Sequence, residues 1–116
     1  MVRKGSERSA SKIEKRFGAD GYITVKSFIK GDGDLNGKGR MFAEITVAPH
    51  SGIGYHEHNG DSEIYCILSG KAEYSDNGNM VEVEAGDVTF CPSGEGHAIY
   101  NRSDEPVEMI ALVLYS

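Results

Sequence analysis

The chain has no apolar run long enough to cross a bilayer and no signal-peptide pattern at its start. Those two absences set the cytoplasm as the expected location and leave no membrane partner. Cysteine is scarce: Cys66 and Cys91 are the only two, too few for a disulfide framework in an intracellular chain. Both stand in apolar, strand-like contexts, Tyr-Cys-Ile and Phe-Cys-Pro, and read as small buried hydrophobes before they read as nucleophiles or sulfur ligands. No stretch shows a convincing helical period, which leaves the all-β classes. Positive charge is scarce beyond the first sixteen residues. That segment holds Arg3, Lys4, Arg8, Lys12, Lys15 and Arg16 and nets +4, so a formal charge of -6 for the whole chain puts -10 on the remainder. An acidic body argues against nucleic acid as the main partner.

What is present fits one domain. With 116 residues, 39% hydrophobic and 26% charged, the chain can bury a single core. Residues 1–20 read as a basic polar arm, either a mobile tail or a segment that orders only against something else. Residues 21–116 read as one domain of nine or ten short strands. Tyr22 to Phe28, Met41 to Val47, Glu63 to Leu68, Lys71 to Ser75, Met80 to Glu84, Val88 to Cys91, His97 to Arg102 and Val107 to Tyr115 carry the β-branched, aromatic or alternating patterns of strands. Asp76-Asn77-Gly78-Asn79 marks a tight hairpin. Ser51 to Gly54 reads as a flexible approach to the histidines that follow. Regular short strands of this kind indicate a barrel or sandwich.

Between the first two strands, Asp32-x-Asp34-x-Asn36-Gly37 reproduces the first half of a calcium-binding loop. The twelfth position is Ala43 where a bidentate glutamate is required, and strands flank the loop where helices are required, so it reads as a polar turn.

The densest chemistry lies from His56 to Gly70. Residues two apart in a strand share a face, so His56 and His58 present two imidazoles side by side. The chain then turns through Asn59-Gly60-Asp61, and Glu63 can return a carboxylate toward them. His97 adds a third imidazole. Three neutral histidines and one carboxylate suit a first-row divalent ion, with open positions for substrate or water if the ion is six-coordinate. A His-x-His pair alone is more often a surface pair than a ligand pair, so the wider spacing matters. It runs His56-x-His58, four residues, Glu63, six residues, Gly70, and later Gly86, five residues, Pro92-x-Gly94, two residues, His97, three residues, Asn101.

That double pattern resembles the two motifs of the cupin superfamily. It spans residues 50–101 and departs once, where His50 replaces an expected glycine, read here as a turn shifted toward Gly52 and Gly54. The resemblance implies an all-β, double-stranded β-helix (jelly-roll) barrel with His56, His58, Glu63 and His97 as metal ligands. It also implies one divalent transition metal per chain, manganese or iron favoured, with zinc, nickel, cobalt and copper accommodated by the same donors. The run His-Glu-His-x-Gly-x-x-Glu-Ile-Tyr is similar to small single-domain bacterial cupins described as oxalate-decarboxylase-like. Such relatives are commonly dimers, which agrees with the need of a small barrel to protect its sheet edges.

For substrate, Arg40, Tyr55, Tyr65, Tyr100 and Arg102 are candidates by adjacency to the ligands or to a strand leading toward them, although each taken singly is more often structural. Tyr65 is the strongest, since alternation puts it on the face of Glu63. Glu95, just before His97, is a candidate proton donor. Three functions stay open: a metal-dependent decarboxylase or dioxygenase acting on a small carboxylate, a non-catalytic metal-dependent binding or sensor module, and a barrel with a purely structural metal.

Overall fold

In the strand Asp61–Ser69 the side chains of Asp61, Glu63, Tyr65 and Ile67 are buried while those between them are partly exposed. This period of two turns one face of a sheet into core. The computed structural model describes residues 1–116, with ten strands built on this rule. They are β1 (Ala10–Glu14), β2 (Tyr22–Ser27), β3 (Gly39–Val47), β4 (Ser51–Glu57), β5 (Asp61–Ser69), β6 (Lys71–Asp76), β7 (Asn79–Glu84), β8 (Val88–Cys91), β9 (Gly96–Asn101) and β10 (Val107–Tyr115). Short 3-10 turns occupy Gly5–Glu7, Arg16–Gly18 and Asp32–Leu35. No helix is long and apolar enough to cross a membrane.

The strands form two antiparallel sheets, ordered β1-β2-β3-β10-β5-β8 and β4-β9-β6-β7. This is the double-stranded β-helix expected from the motifs. Between the sheets lie Ile45 and Val47 of β3, Ile67 of β5, Ile99 of β9 and Val107 and Met109 of β10, each at most 2% exposed. Burying each such side chain contributes roughly 1.5–3 kcal/mol. Asn101 is buried among them and donates from Nδ2 to the carbonyls of Val47, Ala48 and Glu105 at 3.1, 3.1 and 2.7 Å. Its place in the second motif is therefore structural, joining the end of β9 to the end of β3.

Three local expectations need correction. Ser51 to Gly54 is not a flexible approach but the buried first half of β4, paired with β9. The turn at His50 is not shifted: His50 itself takes the left-handed conformation, φ +55°, where glycine would be unstrained, and its Nε2 meets Asp104 at 2.7 Å. Cys66 is only half-buried, on the outer face of β5, whereas Cys91 is buried. Burial, then the charges of Glu95 and Glu63, push the Cys91 thiol up to about 11.

Within the first twenty residues, β1 pairs with β2 from Ala10↔Lys26 to Glu14↔Tyr22, so this stretch is ordered against the chain's own sheet. In the Asp32–Leu35 turn, Asp34 accepts from the Lys30 N–H at 3.0 Å and pairs with Arg3 at 3.3 Å, which lowers its pKa.

Candidate metal centre

Three pieces of the fold converge at one mouth of the barrel. β4 carries His56, and His58 follows just past its end. β9 carries His97 directly opposite His56 in the strand pairing. β5, from the other sheet, carries Glu63 on its inward face. The donor atoms of these four residues all lie within 4.8 Å of one another. His97 Nε2 is 3.1 Å from His56 Nε2, 3.2 Å from His58 Nε2 and 3.0 Å from Glu63 Oε1. Glu63 Oε1 is 3.2 Å from His58 Nε2 and 3.7 Å from His56 Nε2. Bonds of about 2.0–2.2 Å to one central ion would put neighbouring donors about 3.0 Å apart in an octahedron and about 3.4 Å apart in a tetrahedron. The observed edges fall on that scale.

The other nitrogen of each ring is already committed. His56 Nδ1 donates to the Gly54 carbonyl at 2.8 Å, and His58 Nδ1 donates to Asp61 Oδ1 at 2.8 Å. His97 Nδ1 lies 2.7 Å from the Tyr74 hydroxyl, whose pKa burial raises. A carbonyl and a carboxylate can only accept, so Nδ1 holds the proton in His56 and His58 and the Nε2 lone pairs face the centre. Lone pairs and a carboxylate oxygen aimed at one another about 3 Å apart repel unless a cation lies between them. The residues therefore fit a metal ion: His56, His58, His97 and Glu63 could hold one.

Electrostatics favour the same state. Burial raises the pKa of Glu63, but the imidazoles gathered around the carboxylate outweigh it and bring the carboxyl to about 2. Burial lowers the pKa of His97 against the opposing pull of Glu63. At neutral pH the carboxylate is ionised and His97 is neutral, the forms a metal requires. Asp61 is likewise held below the usual carboxylate range, since hydrogen bonds from His58 and Arg40 overcome its burial. Arg40 Nε donates to Asp61 Oδ2 at 2.9 Å, completing an Arg40, Asp61, His58 chain.

Beside the four donors is a cavity of about 130 Å³. Tyr65 and Arg40 line it, as do Arg16 and Phe17. Tyr65 is 1% exposed and stacks on His97 with ring centroids 4.9 Å apart. Burial, then the Glu63 charge, keeps its hydroxyl protonated. Tyr55, Tyr100 and Arg102 are not brought to this cavity. They line a separate cleft of about 670 Å³, together with His50. Arg102 is engaged there by Glu73 at 2.8 Å. Glu95 is half-buried and lines neither cavity, although its carbonyl accepts from the His58 N–H at 2.9 Å.

Sequence reasoning missed four residues. Asp61 read only as a turn former, although a carboxylate three residues after His58 is a signal for a histidine partner. Tyr74 could be placed inward by alternation in β6, but nothing in the sequence puts it beside His97. Arg16 and Phe17 gave no signal at all, because the fold-back of β1 onto β2 is what delivers them.

Two antiparallel sheets closed around a cluster of three histidines and one glutamate define a double-stranded β-helix able to carry a metal. The Cupin domain family matches residues 43–114, and the chain belongs to that family. A Thermotoga maritima protein described as an oxalate-binding protein is 35% identical over 114 residues, covering 98% of this chain and 93% of its own length. The crystal structure of a predicted oxalate decarboxylase from Thermotoga maritima superposes with a TM-score of 0.94 at 34% identity, over the whole of both chains. The cupin domain of an XRE family transcriptional regulator from Enterobacter cloacae is 23% identical with a TM-score of 0.68, covering 81% of this chain and 97% of its own, and shares the fold.

Proposed function

We propose that this chain is a metal-dependent cupin that binds a small carboxylate, oxalate first among them, on a manganese or iron ion held by His56, His58, Glu63 and His97. The observation that carries the reading is the convergence of four donors beside a cavity of about 130 Å³ whose lining includes Arg16 and Arg40. The oxalate-binding description of the Thermotoga maritima relative supports the choice of ligand. A divalent ion there supplies Lewis acidity toward a carboxylate and, if redox-active, a route to dioxygen. The chain's own part is to hold the imidazoles in the right tautomer, keep Glu63 ionised, and exclude water with Tyr65 and the buried apolar lining.

A second reading, decarboxylation or oxygenation of that carboxylate, is favoured by Tyr65, the one hydroxyl-bearing residue in the lining of the cavity. Tyr65 would be the proton donor. The binding reading stands first because no carboxylic acid poised to donate a proton lines the cavity: Glu63 is ionised among the imidazoles and Glu95 lies outside.

The test is metal counted per chain in wild type beside His58→Ala, followed by titration with oxalate. The expected outcome is near-stoichiometric manganese or iron in the wild type, lost in the variant, with oxalate bound only by the loaded protein. A wild type that retains no offered ion overturns the proposal. Formate or carbon dioxide appearing from oxalate, and failing to appear in Tyr65→Phe, would promote the second reading.

We also propose a homodimer in which the outer face of the six-stranded sheet is covered by a second copy. Phe42, Leu112, Ile64 and Phe90 stand side by side across β3, β10, β5 and β8, and Phe90 and Val88 are more than half exposed. Phe42, Ile64 and Leu112 are partly exposed, and an apolar row that reaches solvent in this way suits an interface. A light-scattering mass of one chain would reject it.

A further inference from the structure

We infer that Arg16 is a second anion-binding group of this site and that, with Phe17, it selects a small dicarboxylate over a monocarboxylate. The inference rests on the carboxylate-binding reading above and names the residue that would give it selectivity.

Arg16 sits in the turn that joins β1 to β2. The turn is unusual: Lys15 and Phe17 both take left-handed conformations, φ +50° and +51°, without being glycine. It is held by Lys15 N–H to the Gly21 carbonyl at 3.0 Å and Gly18 N–H to the Lys15 carbonyl at 3.0 Å. Gly54 completes the seat, since a Cβ there would collide with the Phe17 carbonyl. The strained turn lays the Phe17 ring flat on His56, with centroids 4.2 Å apart and planes 13° apart. The Arg16 guanidinium then rests over Phe17, 4.5 Å from its centroid. Both residues thus wall the cavity that the metal cluster opens into.

Partner choice separates Arg16 from its kind. The chain has five arginines, and Arg3, Arg8, Arg40 and Arg102 each pair with a carboxylate of the protein. Arg16 is the one arginine with no such pair. Its planar fork is left to meet a carboxylate bidentately.

Charge gives the ligand class. A divalent ion with Glu63 leaves one positive charge, and Arg40 is balanced by Asp61. Arg16 raises the total to two, which a dianion such as oxalate neutralises and a monoanion does not. Size sets the limit: about 130 Å³ is the space of roughly four waters, enough for a dicarboxylate of two or three carbons.

The test is calorimetric titration of the manganese-loaded full-length protein with oxalate and with acetate, comparing wild type, Arg16→Gln and Arg16→Lys, with metal content measured on each sample. Arg16→Gln should lower oxalate affinity about tenfold or more, leave acetate affinity within about twofold and leave metal content unchanged. Arg16→Lys, which keeps charge but not the fork, should fall between. Equal oxalate affinity in wild type and Arg16→Gln overturns the inference while the carboxylate-binding reading stands. An equal loss for oxalate and acetate also overturns it, because selectivity would then not belong to Arg16. A loaded wild type that binds neither ligand removes the carboxylate-binding reading, and this inference falls with it.

Discussion

Two cavities share the Phe17 segment in their walls and differ in what their polar groups do. The larger, about 670 Å³, is open, and its arginine and histidine are already occupied: Arg102 by Glu73 and His50 by Asp104. The smaller, about 130 Å³, is walled mostly by apolar side chains, and its polar atoms converge with their outward valences filled and their inward ones free. Volume alone would have chosen the cleft whose charged groups are already paired. A site is marked by unsatisfied donors and acceptors aimed at common space in a dry surrounding, where electrostatic interactions are strongest.

The sharpest way to break the contrast is to disturb the support of one ligand and compare it with a change in the open cleft. Asp61→Asn removes the carboxylate that fixes the His58 tautomer and should lower metal affinity by about tenfold to a hundredfold, measured by competition with a chelating dye. In the same assay Arg102→Ala should stay within about twofold of wild type, because its partner Glu73 is exposed and remote from the cluster. A cleft variant that loses metal as strongly as Asp61→Asn would erase the distinction.

A smaller effect is expected from pH on the metal-free protein. The folded pKa of His97 is lowered, so below about 6.5 the unfolded chain binds a proton that the folded one refuses, and stability falls as pH falls. Glu63 acts in the same direction over a more acid window. Its folded value of about 2 lies below the ordinary 4.5, so its contribution is present above 4.5 and is lost as pH drops toward 2. The melting temperature of the metal-free chain should therefore fall steadily from neutral pH downward. In His97→Ala the part of the decline that starts near 6.5 should shrink. A melting temperature that rose on acidification would contradict both assignments.

The same alternation explains what could be read from sequence and what could not. Glu63, Tyr65 and Ile67 were legible as one inward face because period two is local and needs no knowledge of the partner strand. The rule also explains why adjacency misled: Tyr55 next to His56, and Arg102 just after β9, belong to the opposite side of their sheet or to its end. His50 misled for another reason, since a glycine signal was sought and the chain accepts a left-handed histidine instead. Arg16 and Phe17 lie forty residues before His56 in sequence, and only the pairing of β1 with β2 carries them to it. Long-range register of that kind has no local sequence signature.

The four donors are shared between layers. His56 and His97 stand on strands of the four-stranded sheet, while Glu63 stands on the six-stranded one. An ion bound by all four would thus be a clasp between two leaves, and its binding free energy would also hold the leaves at fixed spacing. Removing it would loosen the mouth first and leave the far end, packed around Val107 and Val47, closed. The opening through which a ligand enters would then be hinged by the hydrophobic core and latched by the metal.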